Sequence, residues 1–160
     1  MRKFDSEIWI NEKGEWIFRG NEITHAEILK YFKENLKEDA NGIYILNVFG
    51  ELQEMGYVKS QTHPLKIQYV EETAEDLLFH SDSQETISIF TSGIFIDQNE
   101  VLFLKRNEQN FLSYQFTRSS LGQLSKYLEE VDGSFFLNFQ DLSFEISQKP
   151  FPEIKIPAEF

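Results

Sequence analysis

Ile8-Trp9-Ile10-Asn11-Glu12-Lys13-Gly14-Glu15-Trp16-Ile17-Phe18 aligns without a gap on Ile94-Phe95-Ile96-Asp97-Gln98-Asn99-Glu100-Val101-Leu102-Phe103-Leu104. In both stretches three β-prone residues precede a polar turn and three follow it, the pattern of a hairpin. Each stretch leads to a threonine that can open a helix, Thr24 and Thr117. An Asn-Gly or Asp-Gly pair comes next (Asn41-Gly42, Asp132-Gly133), then a short apolar strand (Ile43–Leu46, Ser134–Leu137). The second copy carries an insertion between Asn107 and Tyr114. A repeated hairpin-helix-strand unit predicts an α+β fold, two related lobes of antiparallel strands with one helix on each.

The helix signals sharpen this. Thr24 and Glu27 form a capping box, and Ile23 and Ile28 can staple around it. Ile28, Leu29, Phe32 and Leu36 then make one apolar stripe, and Asn41-Gly42 is read as its stop. In the second copy Thr117 is the cap, Phe116 and Leu121 the staple, and Leu121, Leu124, Leu128 and Val131 the stripe. Ile43–Phe49 reads as a strand buried on both faces, Leu65–Val70 as a half-buried one, and Tyr57–Lys59 as a weaker one. Glu71–Asp76 reads as a solvated link. Leu77–His80 and Thr86–Phe90 read as strands, and Phe111–Phe116 as an added one. The lobes are therefore set at residues 1–80 and 81–148. Residues 149–160 hold three of the four prolines and read as an extended tail, disordered or laid across the body.

Composition limits the chemistry. No cysteine is present, which removes disulfides, thiolate nucleophiles and thiolate zinc sites, and fits a reducing compartment. Sixteen phenylalanines point to a core built from rings. A net charge of −12, spread over both halves, opposes binding to nucleic acid and to anionic lipid. No run is apolar enough for a membrane span, the N-terminus lacks a signal-peptide pattern, and the chain reads as cytoplasmic.

His25, His63 and His80 share no metal-ligand spacing, and no phosphate loop, dinucleotide fingerprint or nucleophile elbow occurs. No metal or cofactor is expected. Trp9 and Trp16 are read as core residues, with a groove lining as the alternative. Glu51 follows the Tyr44–Phe49 strand, where a partly buried carboxylate can hold a ligand or act as an acid.

Gly14, Trp16, Gly20 and Ile23, followed by Gly42, Tyr44, Leu46 and Glu51, match an early pattern I-x-x-D-G-x-W-x-Y-x-G-x-P-I and then D-G-x-Y-x-L. On these residues the chain resembles the bacterial family known as domain of unknown function 1285 (DUF1285). The likeness continues through His63–Ile67 and Leu78-Phe79 and fades in the second copy. Lys13, Glu22 and Val48-Phe49 depart from the pattern. The resemblance implies a β-rich fold with repeated motifs in a bacterial cytoplasmic protein. It brings no established activity, and by analogy it implies a small-ligand-binding or signalling module. The leading expectation is a non-enzymatic binding module with its site in a groove between the lobes, lined by Trp16, Tyr44 and Glu51. The rival is a protein-interaction or scaffolding role through the aromatic hairpin or the tail. The remote alternative is a carboxylate enzyme built around Glu51. The sequence sets no oligomeric state.

Overall fold

The computed structural model describes residues 1–160. The chain divides into two units, Met1–Pro64 with Pro152–Phe160, and Leu65–Phe151. Each unit holds one sheet and one α-helix, so the fold is α+β with two β-rich lobes.

Unit 1 contains β1 (Arg2–Ile10), β2 (Trp16–Phe18), β3 (Asn21–Glu22), α1 (Ala26–Glu34), β4 (Leu36–Asp39), β5 (Gly42–Phe49) and β6 (Leu52–Ser60). The strands form a six-stranded sheet in the order β3-β2-β1-β6-β5-β4. Unit 2 contains β7 (Leu65–Glu72), β8 (Leu77–Ser81), β9 (Thr86–Ser88), a 3-10 turn (Ile89–Thr91), β10 (Gly93–Ile96), β11 (Leu102–Lys105) and β12 (Tyr114–Phe116). It continues with α2 (Arg118–Leu124), a second 3-10 turn (Ser125–Tyr127), β13 (Leu128–Val131), β14 (Ser134–Phe139) and β15 (Leu142–Gln148). Its nine strands run β13-β14-β15-β10-β11-β12-β7-β8-β9. Read from the other edge, β12-β11-β10-β15-β14-β13 repeats the strand order of unit 1, and β7–β9 extend it.

The two hairpins agree in detail. Ile8 pairs with Phe18 and Ile10 with Trp16, as Ile94 pairs with Leu104 and Ile96 with Leu102. In the first turn the Asn11 side-chain oxygen accepts from the Lys13 and Glu15 amides. In the second, Asp97 does the same for Asn99 and Val101. Gly14 sits at φ 80° and Glu100 at φ 62°, so the second turn forms without the glycine. β1 then runs parallel to β6, and β10 parallel to β15.

Several expectations need correction. The helices are shorter than their apolar stripes suggest, because Asn41-Gly42 and Asp132-Gly133 are hairpin turns rather than helix stops. β4 turns into β5 with Asp39 opposite Gly42, and the Asp39 carboxylate accepts from the Asn41 and Gly42 amides. β13 turns into β14 through Asp132 (φ 52°) and Gly133 (φ 82°), the backbone a tight two-residue hairpin needs. Leu36, Leu128 and Val131 are therefore strand residues.

Thr24 is not a cap. The Ile23 amide bonds to the Trp16 carbonyl and prolongs β3, so α1 begins later, with His25 Nδ1 accepting from the Ile28 amide at 3.4 Å. Thr117 does cap α2, accepting from Ser120 at 3.2 Å. β5 is not buried on both faces: Ile43 and Ile45 are buried, Tyr44 and Leu46 are half-buried, and Val48 and Phe49 are exposed. Glu71 and Glu72 belong to β7.

The sequence reading sets the lobe boundary at 80, and the contacts divide the chain after Pro64. β7 pairs with β8 and with β12, which draws it into the second sheet. The tail is anchored. Ser60 and Ile154 exchange both backbone hydrogen bonds, Ile154 is buried, and the Phe160 ring stacks on Tyr57 at 5.6 Å. Phe151 is held in unit 2 by Gln98, whose side chain satisfies its amide and its carbonyl.

Candidate functional site: an apolar cavity beneath α1

One face of the unit 1 sheet carries Phe4, Ser6 and Ile8 on β1, Phe18 on β2, Ile45 and Asn47 on β5, and Gly56 on β6. Alternation along a strand puts every second residue on one face, and pairing sets Ile45 and Phe4 on either side of Gly56. α1 lies over this face without closing on it. Its Ile28 and Phe32, spaced to share one side of the helix, complete the lining with Ile23, yet no α1 residue is buried. A cavity of about 370 Å³ lies between them. Cavities of ~150 Å³ already admit a benzene ring, so this one has room for a group of roughly twice that size.

The wall is almost wholly apolar and carries no charged side chain. Of its two polar side chains, Ser6 is fully engaged. Its hydroxyl donates to the Tyr57 carbonyl at 2.6 Å and accepts from the Ile8 amide at 3.1 Å. Asn47 accepts from the Tyr31 hydroxyl at 3.0 Å through Oδ1, a bond that does not use the Nδ2 donors of its carboxamide. A bulge in β1 between Asp5 and Ile8, with Glu7 at φ 63°, aims Ser6 at the wall. Opposite it Arg19 is also left-handed (φ 48°), ion-pairs with Glu7 at 2.7 Å and lies over the Phe18 ring. Gly56 sits at a close approach: a Cβ there would stand 3.1 Å from Ser6 Cβ and 3.2 Å from the Phe4 ring, so either would have to give way by a few tenths of an ångström.

Two polar clusters lie elsewhere. On unit 1, the Tyr57 hydroxyl donates to Asp39. Burial, reinforced by that carboxylate, pushes the phenol up to about 12. Burial alone works to raise the Asp39 carboxyl, but the Tyr57 hydroxyl, the Asn41 and Gly42 amides and the charge of Lys3 hold it below its ordinary value. On unit 2, Glu85 accepts from Ser83, Tyr114 and Arg106 at 2.7, 2.9 and 2.9 Å. These bonds outweigh its burial and keep the carboxyl low, while burial beside that carboxylate raises the Tyr114 phenol. Both clusters are closed on themselves and act as struts. No group of three or more metal-ligating side chains comes together, and no helix is long and apolar enough to cross a membrane.

No protein-family model matches this sequence, and no curated protein is similar to it. Two solved structures are similar in fold. A DUF1285 family protein from Silicibacter pomeroyi superposes with a TM-score of 0.67 at 18% identity, covering 89% of this chain and 80% of that one. A DUF1285 family protein from Shewanella baltica gives 0.50 at 17% identity, covering 74% of this chain and 90% of that one. The fold is that of the DUF1285 proteins. The resemblance read from Gly14, Trp16, Gly20 and the residues after them is to the same family.

Within this DUF1285-like fold the three sequence-predicted site residues do not meet at one place. Trp16 is core, 3% exposed, with its ring stacked on Phe32 at 6.3 Å. It backs the cavity wall without lining it. Tyr44 packs edge-on against Tyr57 at 5.7 Å, one residue out of phase with Ile45 and Asn47 and so on the other sheet face. Glu51 sits in the exposed two-residue turn between β5 and β6. It borders a shallow, more polar depression with Met1, Arg2 and Glu54. The residues that line the cavity left two traces in the sequence. Asn47 is a polar residue inside an apolar run, and Gly56 is a glycine inside a strand, a mark of close approach.

Proposed function

We propose that the protein is a small-ligand-binding module of the bacterial cytoplasm, serving signalling rather than catalysis, and that unit 1 holds the ligand beneath α1. The cavity carries this reading. It has the size and apolar lining of a small-molecule site, with one polar group placed to orient the occupant. The helix above it has its apolar side only partly covered, so ligand binding would bury Ile28 and Phe32 further. A freedom from cysteine fits the compartment. The matching hairpins and strand order support descent of the two units from one duplicated ancestor.

The test is titration with N-phenyl-1-naphthylamine, a neutral fluorescent probe, against the protein and its Asn47→Phe variant. Binding to the first and at least tenfold weaker binding to the second is the expected result. Equal binding to both would sink the reading.

An interaction role is favoured by a different observation. Val48, Phe49 and Leu52 are 55%, 60% and 72% exposed and cluster at the tip of the β5–β6 hairpin. That reading expects a Phe49→Asp, Leu52→Asp variant to lose a co-purifying protein that the parent chain retains.

A further inference from the structure

The shared strand order lets each wall position of the unit 1 cavity be matched to its counterpart in unit 2. Leu36 faces Ile45 as Leu128 faces Leu137, and Ile45 faces Gly56 as Leu137 faces Phe144. Asn47 then corresponds to Phe139, and Gly56 to Phe144. In unit 2 these two positions carry rings, and the open space on this face, about 390 Å³, lies instead at its other end, between Ile96, Leu102, Leu128, Phe135 and Ile146. Phe139 is buried, and the Phe90 ring from the 3-10 turn meets Phe139 at 6.3 Å and Phe144 at 5.8 Å, both edge to face. Tyr127 closes on Phe139 at 6.3 Å. Unit 2 thus carries aromatic rings at the two positions where unit 1 has a carboxamide and a glycine.

Resting on the ligand-binding reading of unit 1, we infer that the occupant of its cavity is an uncharged aromatic molecule of about two fused rings bearing one hydrogen-bond acceptor. Three observations set these terms. Unit 2 shows what complements this face: rings that pack edge-on against other rings, the geometry their quadrupoles favour. Phe4, Phe18 and Phe32 offer ring edges and faces in unit 1. No cationic or anionic side chain lines the wall, so an ionic ligand would lose its hydration with nothing in return. The acceptor follows from Asn47, whose Oδ1 is taken by Tyr31 while its Nδ2 donors are unspent. A carbonyl or ether oxygen is what they fit.

The experiment is a titration of the full chain with 2-acetylnaphthalene, naphthalene, 2-naphthoate, 2-decanone and a short phenylalanine-containing peptide, followed by calorimetry and by NMR shifts of Ile28 and Ile45. The ketone should perturb both residues. It should bind at least tenfold more tightly than either 2-naphthoate or naphthalene. Asn47→Leu, close in volume, should reduce the ketone to the affinity of naphthalene. Equal binding of 2-naphthoate would overturn the uncharged class, and tighter binding of 2-decanone would overturn the aromatic one, while the cavity stands as the site in both cases. Tighter binding of a short phenylalanine-containing peptide would replace the small molecule by a partner's side chain. If no probe moves Ile28 or Ile45, the site itself is refuted along with the ligand class.

Discussion

Trp16 decides between packing and binding at the scale of one residue. A tryptophan on a hairpin can line a groove or fill a core, and 3% exposure with a ring stacked on Phe32 settles the second. Trp16→Ala should cost about 3–5 kcal/mol in urea denaturation, the range for deleting a large buried ring. A groove residue would cost far less. The Asp39–Tyr57 contact has opposite signatures at the two ends of the pH scale. The folded Asp39 carboxyl lies below its unfolded value, so its contribution is present above about pH 4 and fades as pH falls through the folded value. The folded Tyr57 phenol lies above its unfolded value of about 10, so its contribution is whole below that pH and is lost between there and about 12. A phenolate absorbance titration should show two tyrosines ionising at about 12, Tyr127, which burial and the Glu72 carboxylate raise, and the Asp39-dependent Tyr57. Asp39→Asn, which removes the charge and keeps an acceptor, should move Tyr57 toward the ordinary range.

Elements show where local signals compete. Thr24 and Glu27 satisfy every sequence rule for a capping box, yet the Ile23 amide bonds to Trp16 and the strand wins the first residues of the expected helix. Thr117 has no such competitor and caps α2. Thr117→Ala should therefore cost about 1 kcal/mol of stability by thermal or urea unfolding, and Thr24→Ala close to nothing. Asn41-Gly42 and Asp132-Gly133 were open to two readings, because the same dipeptides stop helices and turn hairpins. The tie is broken by β4 and β13, four-residue strands that read in sequence as the last turn of a helix. Leu36 is apolar in either register, so periodicity could not separate the two. The repeated hairpin was legible for the opposite reason. Its turn is fixed by a side-chain cap at Asn11 and Asp97 that reaches only two and four residues along the chain.

For the whole molecule, the class and the two-part build were legible, while the pairing of β7 and the lining of the cavity were not. β7 reads as a strand wherever it goes, and nothing in Leu65–Val70 says that its partner will be β12. The cavity depends on what stands opposite what: Gly56 beside Ile45 and Phe4, and Asn47 under Tyr31. Such pairings arise only when β1, β5 and β6 align. The tail is a contact of the same kind. Deleting residues 152–160 removes Ile154 from beside Ser60 and Phe160 from Tyr57, and should cost roughly 2–5 kcal/mol. Hydrogen exchange should speed up at Ser60 and at neighbouring amides of β6. Unchanged exchange there would mean that the tail adds nothing to unit 1. The same seam orders events during synthesis. The ribosome makes unit 2 in one continuous piece, whereas unit 1 waits for Ile154, a residue translated after the last strand of unit 2. Unit 1 therefore has all six strands early but gains its last cover late, and until then a nascent chain leaves Ser60 and Tyr57 without the segment that packs on them, open to any chaperone that can shield it.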